Sequence, residues 1–237
     1  METMELDRLP TWEYLQKRMT WEQLGETKGK RVLDFGSGNG ACAAHFAALG
    51  NAVTAIEPFP PPLEERFSGD YTFLEGSLEA LEGLAHGSFD LILCHNVLEY
   101  AADRATVVRA LADKLKPGGT LSVIKHNRPG RVMQMAVLLD DFDRANALLD
   151  GGDDAQAVAY GAIQYYEDGD ISRWAPELKL TKTLGQRTFW DLQQNQEKQT
   201  DPQWQAQMLA LERRVSSLPE YLSIAFFHHL FFEKSEN

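Results

Sequence analysis

The sequence predicts an α/β chain: a mostly parallel, doubly wound sheet of seven strands, with a helical insertion after the fifth strand. Three observations predict it. Short apolar runs alternate with helical segments from Arg31 to Asn127, the order that builds a parallel sheet covered on both faces. The run Phe89 to His95 is apolar enough for a strand buried on both sides. The first apolar run stops at Phe35 and breaks into Gly36, Gly38 and Gly40 ahead of an Ala-rich helix.

The elements follow in order. Residues 11 to 25 read as a helix with Trp12, Leu15, Met19 and Leu24 on one face. Arg31 to Phe35 is the first strand, and the helix Ala41 to Leu49 after it is ended by Gly50. Ala52 to Glu57 is the second strand. Pro58, Pro60, Pro61 and Pro62 then force an extended or turning chain, so any helix there is short. Tyr71 to Glu75 is the third strand and Phe89 to His95 the fourth. A helix from Asp103 to Leu115 and the turn Pro117-Gly118-Gly119 lead into the fifth, Thr120 to Lys125.

The pattern changes after Asn127. Val132 to Leu149 is apolar at helical spacing, and residues 128 to about 170 read as an insertion or lid on a core of 31–127. Lys182 to Leu192 and Ile224 to Glu233 read as two closing strands, with a helix from Trp204 to Val215 between them behind Asp201-Pro202. The closing pair, within 180–234, is expected to add an antiparallel edge. The whole chain, 1–237, is expected to be a single domain.

Composition narrows the functional classes. A hydrophobic fraction of 43% supports a real core. No run of about 18 apolar residues exists to span a membrane, and Met1 to Pro10 lacks the apolar centre of a signal peptide. Cys42 and Cys94 have no metal-ligand spacing. A reducing cytoplasm and no membrane partner are therefore expected. The net charge of −12 argues against broad nucleic-acid binding, which needs Lys and Arg against phosphate.

The glycine turn, Glu57 at the end of the next strand, and Lys116-Pro117-Gly118-Gly119 together read as a site for S-adenosylmethionine (SAM). Glycines let backbone approach an amino-acid tail, and the helix behind presents free N–H groups. Asp34 can hold the ammonium, directly or through water. Glu57 can accept both ribose hydroxyls. Ser77 and Leu78 follow the third strand, where the adenine should lie, and His95 ends the fourth facing the same crevice. A nucleotide-binding dehydrogenase is the rival, but its glycines follow G-x-G-x-x-G, whereas here Asp34 is followed by Gly36, Gly38 and Gly40.

VLDFGSGNG, Glu57, SFDLILCHNVLEY (88–100) and LKPGGTLSV (115–123) resemble the motifs of class I SAM-dependent methyltransferases, whose fold is Rossmann-like. HNVLEY, Asn127, the Met-rich helix after it and the GQRTFWDL region (185–212) resemble the bacterial tRNA 5-carboxymethoxyuridine methyltransferase family. The resemblance implies methyl esterification of a wobble-uridine carboxymethoxy group. It also implies cofactor contacts by Gly36, Ser37, Glu57, Leu78, Glu79 and His95. That family carries a cofactor-binding arginine in its N-terminal helix. Here the comparable position is Gln16, with Lys17 and Arg18 beside it, so either Arg18 substitutes or the contact is lost.

Methyl transfer from a sulfonium is an in-line displacement with a neutral leaving group, so the protein mainly aligns and excludes water. An ionised carboxylate acceptor needs no base. An amine or hydroxyl would need one, and His95 and His126 are the candidates. Lys125, His126, Arg128 and Arg131, with Asn127 among them, cluster past the fifth strand, where an anionic substrate is expected. Asp140, Asp141 and Asp143 read as acids on a helix exterior, and His228 and His229 point to opposite faces of a strand. No metal site is expected. Phe226, Phe227, Phe231 and Phe232 read as core or interface. A small-metabolite carboxylate, amine or hydroxyl is the alternative acceptor, and a non-enzymatic SAM-binding domain the alternative of another class.

Overall fold

The computed structural model describes residues 9–153 and 161–236. Residues 1–8, most of the stretch read for a signal peptide, and part of the predicted lid (154–160) lie outside them. The chain divides into two compact units. One comprises Met1–Gly25, His126–Tyr165 and Thr183–His229, the other Glu26–Lys125, Tyr166–Lys182 and Leu230–Asn237.

In chain order the elements are α1 (Thr11–Leu24), β1 (Arg31–Phe35), α2 (Ala41–Ala48), β2 (Ala52–Glu57), β3 (Thr72–Glu75), α3 (Leu78–Glu82), β4 (Phe89–His95), α4 (Arg104–Lys114) and β5 (Leu115–His126). Then come α5 (Arg128–Leu138), α6 (Phe142–Leu149), α7 (Asp170–Trp174), β6 (Leu178–Gln186), α8 (Gln196–Thr200), α9 (Pro202–Val215), α10 (Pro219–Leu222) and β7 (Phe227–Lys234). The sheet has seven strands in the order β3-β2-β1-β4-β5-β7-β6. The ladders joining β3, β2, β1, β4 and β5 are all parallel. The order reverses beside β1, between β1 and β4, and such a switch point opens a crevice at the carboxyl ends of the strands.

In the second unit, Leu33, Phe35, Ile56, Ile92, Cys94, Leu121 and Val123 form one core with Leu98, Val108 and Leu111. Burying each such side chain contributes roughly 1.5–3 kcal/mol. In the first unit, Leu15 and Met19 of α1 pack with Trp190 and Leu209. The predicted face of α1 is displaced: Leu15 and Met19 are buried, but Trp12 is 43% exposed.

β6 begins at Leu178, four residues before the expected Lys182, and four other differences from the expectation have a local reason. β5 begins at Leu115 rather than Thr120, because the Pro117-Gly118-Gly119 turn is a bulge inside the strand. Gly118 there adopts φ +70°, and Lys116 beside it pairs with Asp90 at 2.8 Å. The apolar stretch 132–149 is two helices, not one. Asp140 takes φ +50° between them, and the Asp141 carboxylate caps α6 by accepting from Arg144 N at 3.1 Å. β6 ends at Gln186 rather than Leu192. Arg187 has φ +59°, and the next three N–H groups, of Thr188, Phe189 and Trp190, donate to the Glu212 carboxylate instead of a strand. β7 starts at Phe227 rather than Ile224, after the Ser223 and Ala225 carbonyls have accepted from the Asn127 side chain.

Candidate active site

The glycine turn joins β1 to α2 at the carboxyl edge of the second unit. Gly36 N and Ser37 N both donate to Ile56 O, at 2.9 and 3.0 Å, which ties the turn to β2. Glu57 ends β2, is only 6% exposed, and uses both carboxylate oxygens on backbone. Oε2 accepts from Gly38 N at 2.8 Å and Oε1 from Phe59 N at 3.0 Å. Each oxygen keeps a second lone pair for another donor.

The three glycines are needed for different reasons. All have positive φ: +76° at Gly36, +56° at Gly38 and +79° at Gly40. A Cβ at Gly36 would stand 2.3 Å from Val97 Cγ2, and one at Gly40 would stand 2.5 Å from Tyr71 Oη. Those two positions are closed by protein. A Cβ at Gly38 would meet nothing within 4 Å, so this backbone faces open space. The Ser37 hydroxyl, beside it, is buried with no hydrogen-bond partner among the described residues. An open backbone edge beside an orphaned buried hydroxyl fits a polar ligand lying along the turn, as an amino-acid tail would.

Asp34, near the end of β1, is 3% exposed. Burial pushes the Tyr71 phenol up, with the nearby Arg66 opposing and Asp34 adding to the rise. Burial also pushes the Cys94 thiol up, reinforced by the charges of Glu99 and Asp34, so Cys94 is an inert core thiol. After β3, Ser77 N donates to Glu79 Oε1 at 2.7 Å. The Glu79 carboxyl is held low by its own backbone N–H first and that of Ser77 second. Leu78 is half-buried at the start of α3 and packs on the core. His95 ends β4 with Nε2 and Ser122 Oγ of β5 2.8 Å apart. Asn96 follows at φ +56°, a conformation asparagine tolerates better than most residues, and its N–H donates to Ile124 O at 2.8 Å.

The sequence-predicted cations are more engaged than their spacing suggested. Lys125 is buried; its Nζ pairs with Asp168 at 2.9 Å and lies 4.9 Å from the Tyr166 ring centroid. In the first unit, both Asn127 amide contacts go to carbonyls, Ser223 O at 3.0 Å and Ala225 O at 2.8 Å. Asn127 thus pins the chain entering α5 rather than offering that amide group to a substrate. Arg128 lies over the Tyr165 ring at 5.0 Å, and Arg131 Nη1 donates to Gln134 Oε1 at 2.6 Å. His126 packs on the Phe226 and Phe227 rings, centroids 5.5 and 4.8 Å away. Arg18 Nη1 donates to Tyr14 Oη at 2.8 Å, with Glu22 at 4.0 Å.

His228 and His229 diverge as their strand positions require: His228 Nε2 lies 3.0 Å from Leu222 O, and His229 Nδ1 lies 2.8 Å from Gln23 Oε1. Sequence reasoning missed Tyr71 and Val97, which close the glycine turn from the far side. Both look like ordinary strand and loop residues, and only the three-dimensional approach to Gly40 and Gly36 marks them.

A family model described as a methyltransferase domain matches residues 33–123. A solved SAM-dependent methyltransferase from Mesorhizobium loti superposes with a TM-score of 0.58 over 97% of this chain and 100% of that one, at 20% identity. The fold is that of a class I methyltransferase. A second structure of this class, the Burkholderia thailandensis 1,6-didemethyltoxoflavin-N1-methyltransferase with S-adenosylhomocysteine bound, superposes with a TM-score of 0.53, at 15% identity, covering 97% of this chain and 80% of that one. Among curated proteins, the ubiquinone biosynthesis O-methyltransferase of Paracidovorax citrulli is 33% identical over 143 residues, 57% of this chain and 60% of its own length. The chain thus spans about three fifths of that methyltransferase.

Proposed function

We propose that the protein transfers a methyl group from SAM to a small-molecule acceptor. One observation carries the donor side: the Glu57 carboxylate holds the glycine turn through Gly38 N–H while Gly38 itself faces open space. In this reading Glu57 takes the ribose hydroxyls with its remaining lone pairs, Ser37 Oγ meets the amino-acid tail, and Asp34 faces its ammonium. Ser77, Leu78 and Glu79 flank the adenine, with Leu78 supplying apolar cover. SAM would supply an electrophilic methyl on a sulfonium, which leaves as a neutral thioether. The protein's task is then alignment and exclusion of water. For a carboxylate or phenolate acceptor no base is required; for a neutral hydroxyl or amine, His95 or His126 would take the proton.

The small-molecule reading is favoured over a wobble uridine in tRNA by two observations. A curated relative that matches part of the chain is named a ubiquinone biosynthesis O-methyltransferase. Lys125, one of the cations expected to meet an anionic substrate, is buried in an ion pair with Asp168. The test is methyl incorporation from labelled SAM into a small-metabolite extract and, in parallel, into bulk tRNA. Label in the extract alone is the expected result. Label in tRNA alone would transfer the function to the wobble base, and label in neither, with tight SAM binding, would leave a non-enzymatic binding domain.

A further inference from the structure

The glycine turn accounts for the methyl donor, but the first unit holds a second cluster that the donor does not use. Arg187, just past β6, is one of three residues other than glycine with positive φ among the described residues. Long side chains rarely adopt that conformation, and such strain persists where the surroundings enforce it. Its side chain is 9% exposed. Nε donates to Asp191 Oδ2 at 3.1 Å and Nη2 to Asp191 Oδ1 at 2.8 Å. The guanidinium carbon lies 5.1 Å from the Trp12 ring centroid, 4.8 Å from Phe226 and 5.2 Å from Phe227. Neither the ion pair nor the ring contacts uses Nη1.

A purely structural arginine would be satisfied by Asp191 alone, yet the polar chain continues. Gln134 Nε2 donates to Asp191 Oδ2 at 3.2 Å, and Arg131 Nη1 donates to Gln134 Oε1 at 2.6 Å. Gln134 thus links the Arg131 guanidinium to the carboxylate that Arg187 holds directly. His126, the last residue of β5, packs on the same two phenylalanine rings as Arg187. Trp12 remains 43% exposed beside them. Here the sequence expectation of a cationic substrate cluster reappears with a different centre: Arg131 belongs to it, through Gln134 and Asp191, and Lys125 does not.

We propose that Arg187, Trp12 and His126 form a recognition site for a planar, negatively charged group, an aromatic carboxylate or phenolate. The ligand's ring would lie against Trp12, and its oxygen would meet Arg187 Nη1 in a charge-assisted hydrogen bond. Arg187 then sets the specificity for an anionic aromatic acceptor. Assigning the site to the acceptor rests on the methyl-transfer reading above; binding of an aromatic anion does not.

The test titrates the full chain with benzoate, with isosteric uncharged benzamide and with acetate by calorimetry, and titrates S-adenosylhomocysteine separately. Benzoate is expected to bind at least tenfold more tightly than benzamide or acetate. Arg187→Met is expected to abolish that preference with S-adenosylhomocysteine affinity unchanged. Because Arg187→Met removes an ion pair, Trp12→Ala serves as a second variant; it should weaken benzoate at least fivefold and leave the melting temperature in place. Equal affinity for benzoate and benzamide overturns the proposal, as does benzoate binding that survives both variants. Loss of S-adenosylhomocysteine binding with benzoate binding intact would instead sink the donor reading and leave this site standing.

Discussion

Glu57 Oε2 accepts a hydrogen bond from Gly38 N–H at 2.8 Å, so the acid that ends β2 also fixes the turn that ends β1. The same carboxylate holds Phe59 N–H at 3.0 Å and is almost fully buried. Glu57→Ala would leave two N–H groups without acceptors, each costing about 1–3 kcal/mol where water cannot replace the bond. Glu57→Gln keeps one acceptor oxygen and turns an NH2 group toward the other N–H. Glu57→Gln is expected to bind S-adenosylhomocysteine at least tenfold more weakly, with a smaller fall in melting temperature than Glu57→Ala. Calorimetric titration and thermal unfolding of both variants read the two effects separately. Unchanged affinity in Glu57→Gln would remove Glu57 from the donor site.

Gly36 and Gly38 should fail in different ways when given a methyl group. At Gly36 the added Cβ meets Val97 Cγ2 at 2.3 Å, whereas at Gly38 it meets nothing within 4 Å. Both carry the cost of alanine in the left-handed region, roughly 1–2 kcal/mol. Gly36→Ala adds a steric clash and should be clearly the less stable. Trimming Val97 to Ala should recover part of that loss, so Gly36→Ala/Val97→Ala should unfold at higher urea than Gly36→Ala alone. Gly38→Ala should fold well but bind S-adenosylhomocysteine poorly. Urea unfolding and ligand titration of the three variants check the pattern, and a Gly36→Ala protein as stable as Gly38→Ala contradicts it.

The strands around the glycine turn were legible because their residues carry two signals at once. Val32 to Phe35 and Phe89 to His95 are apolar runs of strand length, and each is bounded by residues that stop a strand. The parallel, doubly wound sheet followed from their alternation with helices. The end of β6 was not legible, because Arg187 to Leu192 has β-compatible residues and only the remote Glu212 takes their N–H groups away. The break between α5 and α6 was hidden for a related reason: apolar periodicity continues through Asp140, and the stop lies in its backbone conformation. In the site, Glu57 and the glycines could be named from spacing. The occupation of Lys125 by Asp168 could not, since that ion pair joins residues 43 apart in sequence.

The Lys125–Asp168 pair makes a prediction that separates a structural lysine from a substrate-binding one. Lys125 Nζ is buried and Asp168 is about one quarter exposed. Removing the acid leaves an ammonium in a low-dielectric site against the Tyr166 ring face, which costs on the order of 3 kcal/mol. Asp168→Ala should therefore lower stability to urea by about that amount, while Lys125→Met, close in shape and uncharged, should cost less. If Asp168→Ala leaves stability unchanged, Lys125 is solvated and becomes available to a substrate.

His45 predicts the acid limb of the stability profile. Burial pushes its imidazole down from the ordinary value to about 4. A depressed value means that the unfolded chain binds the proton more tightly than the folded one. The contribution of neutral His45 is therefore complete above about 6.5 and is lost as pH falls toward about 4. His45→Gln should flatten this limb: the drop in urea midpoint between pH 7 and pH 5 should be smaller than in the parent. An identical drop would place the titration elsewhere.

Glu212 predicts the opposite slope on the other side. It is fully buried, and burial pushes its carboxyl up against the lowering effect of the Phe189, Thr188 and Trp190 N–H groups, with Asp191 adding to the rise. A raised value means that the folded state holds the proton more tightly than the unfolded one. The stabilising contribution is full below about 4.5 and is lost as pH rises through the folded-state value. Glu212→Gln cannot ionise, so its stability should depend less on pH between 4.5 and 8 than that of the parent. It still accepts from Phe189 and Trp190 through one oxygen but confronts Thr188 N–H with its own amide, so it should start about 1–3 kcal/mol lower. Glu212→Ala strips acceptors from all three N–H groups and should be the least stable of the series. Urea unfolding of the three proteins at pH 5 and pH 8 decides the matter: if Glu212→Gln and the parent lose stability in parallel between those values, the carboxyl is ionised throughout and its burial is fully offset by the three backbone donors.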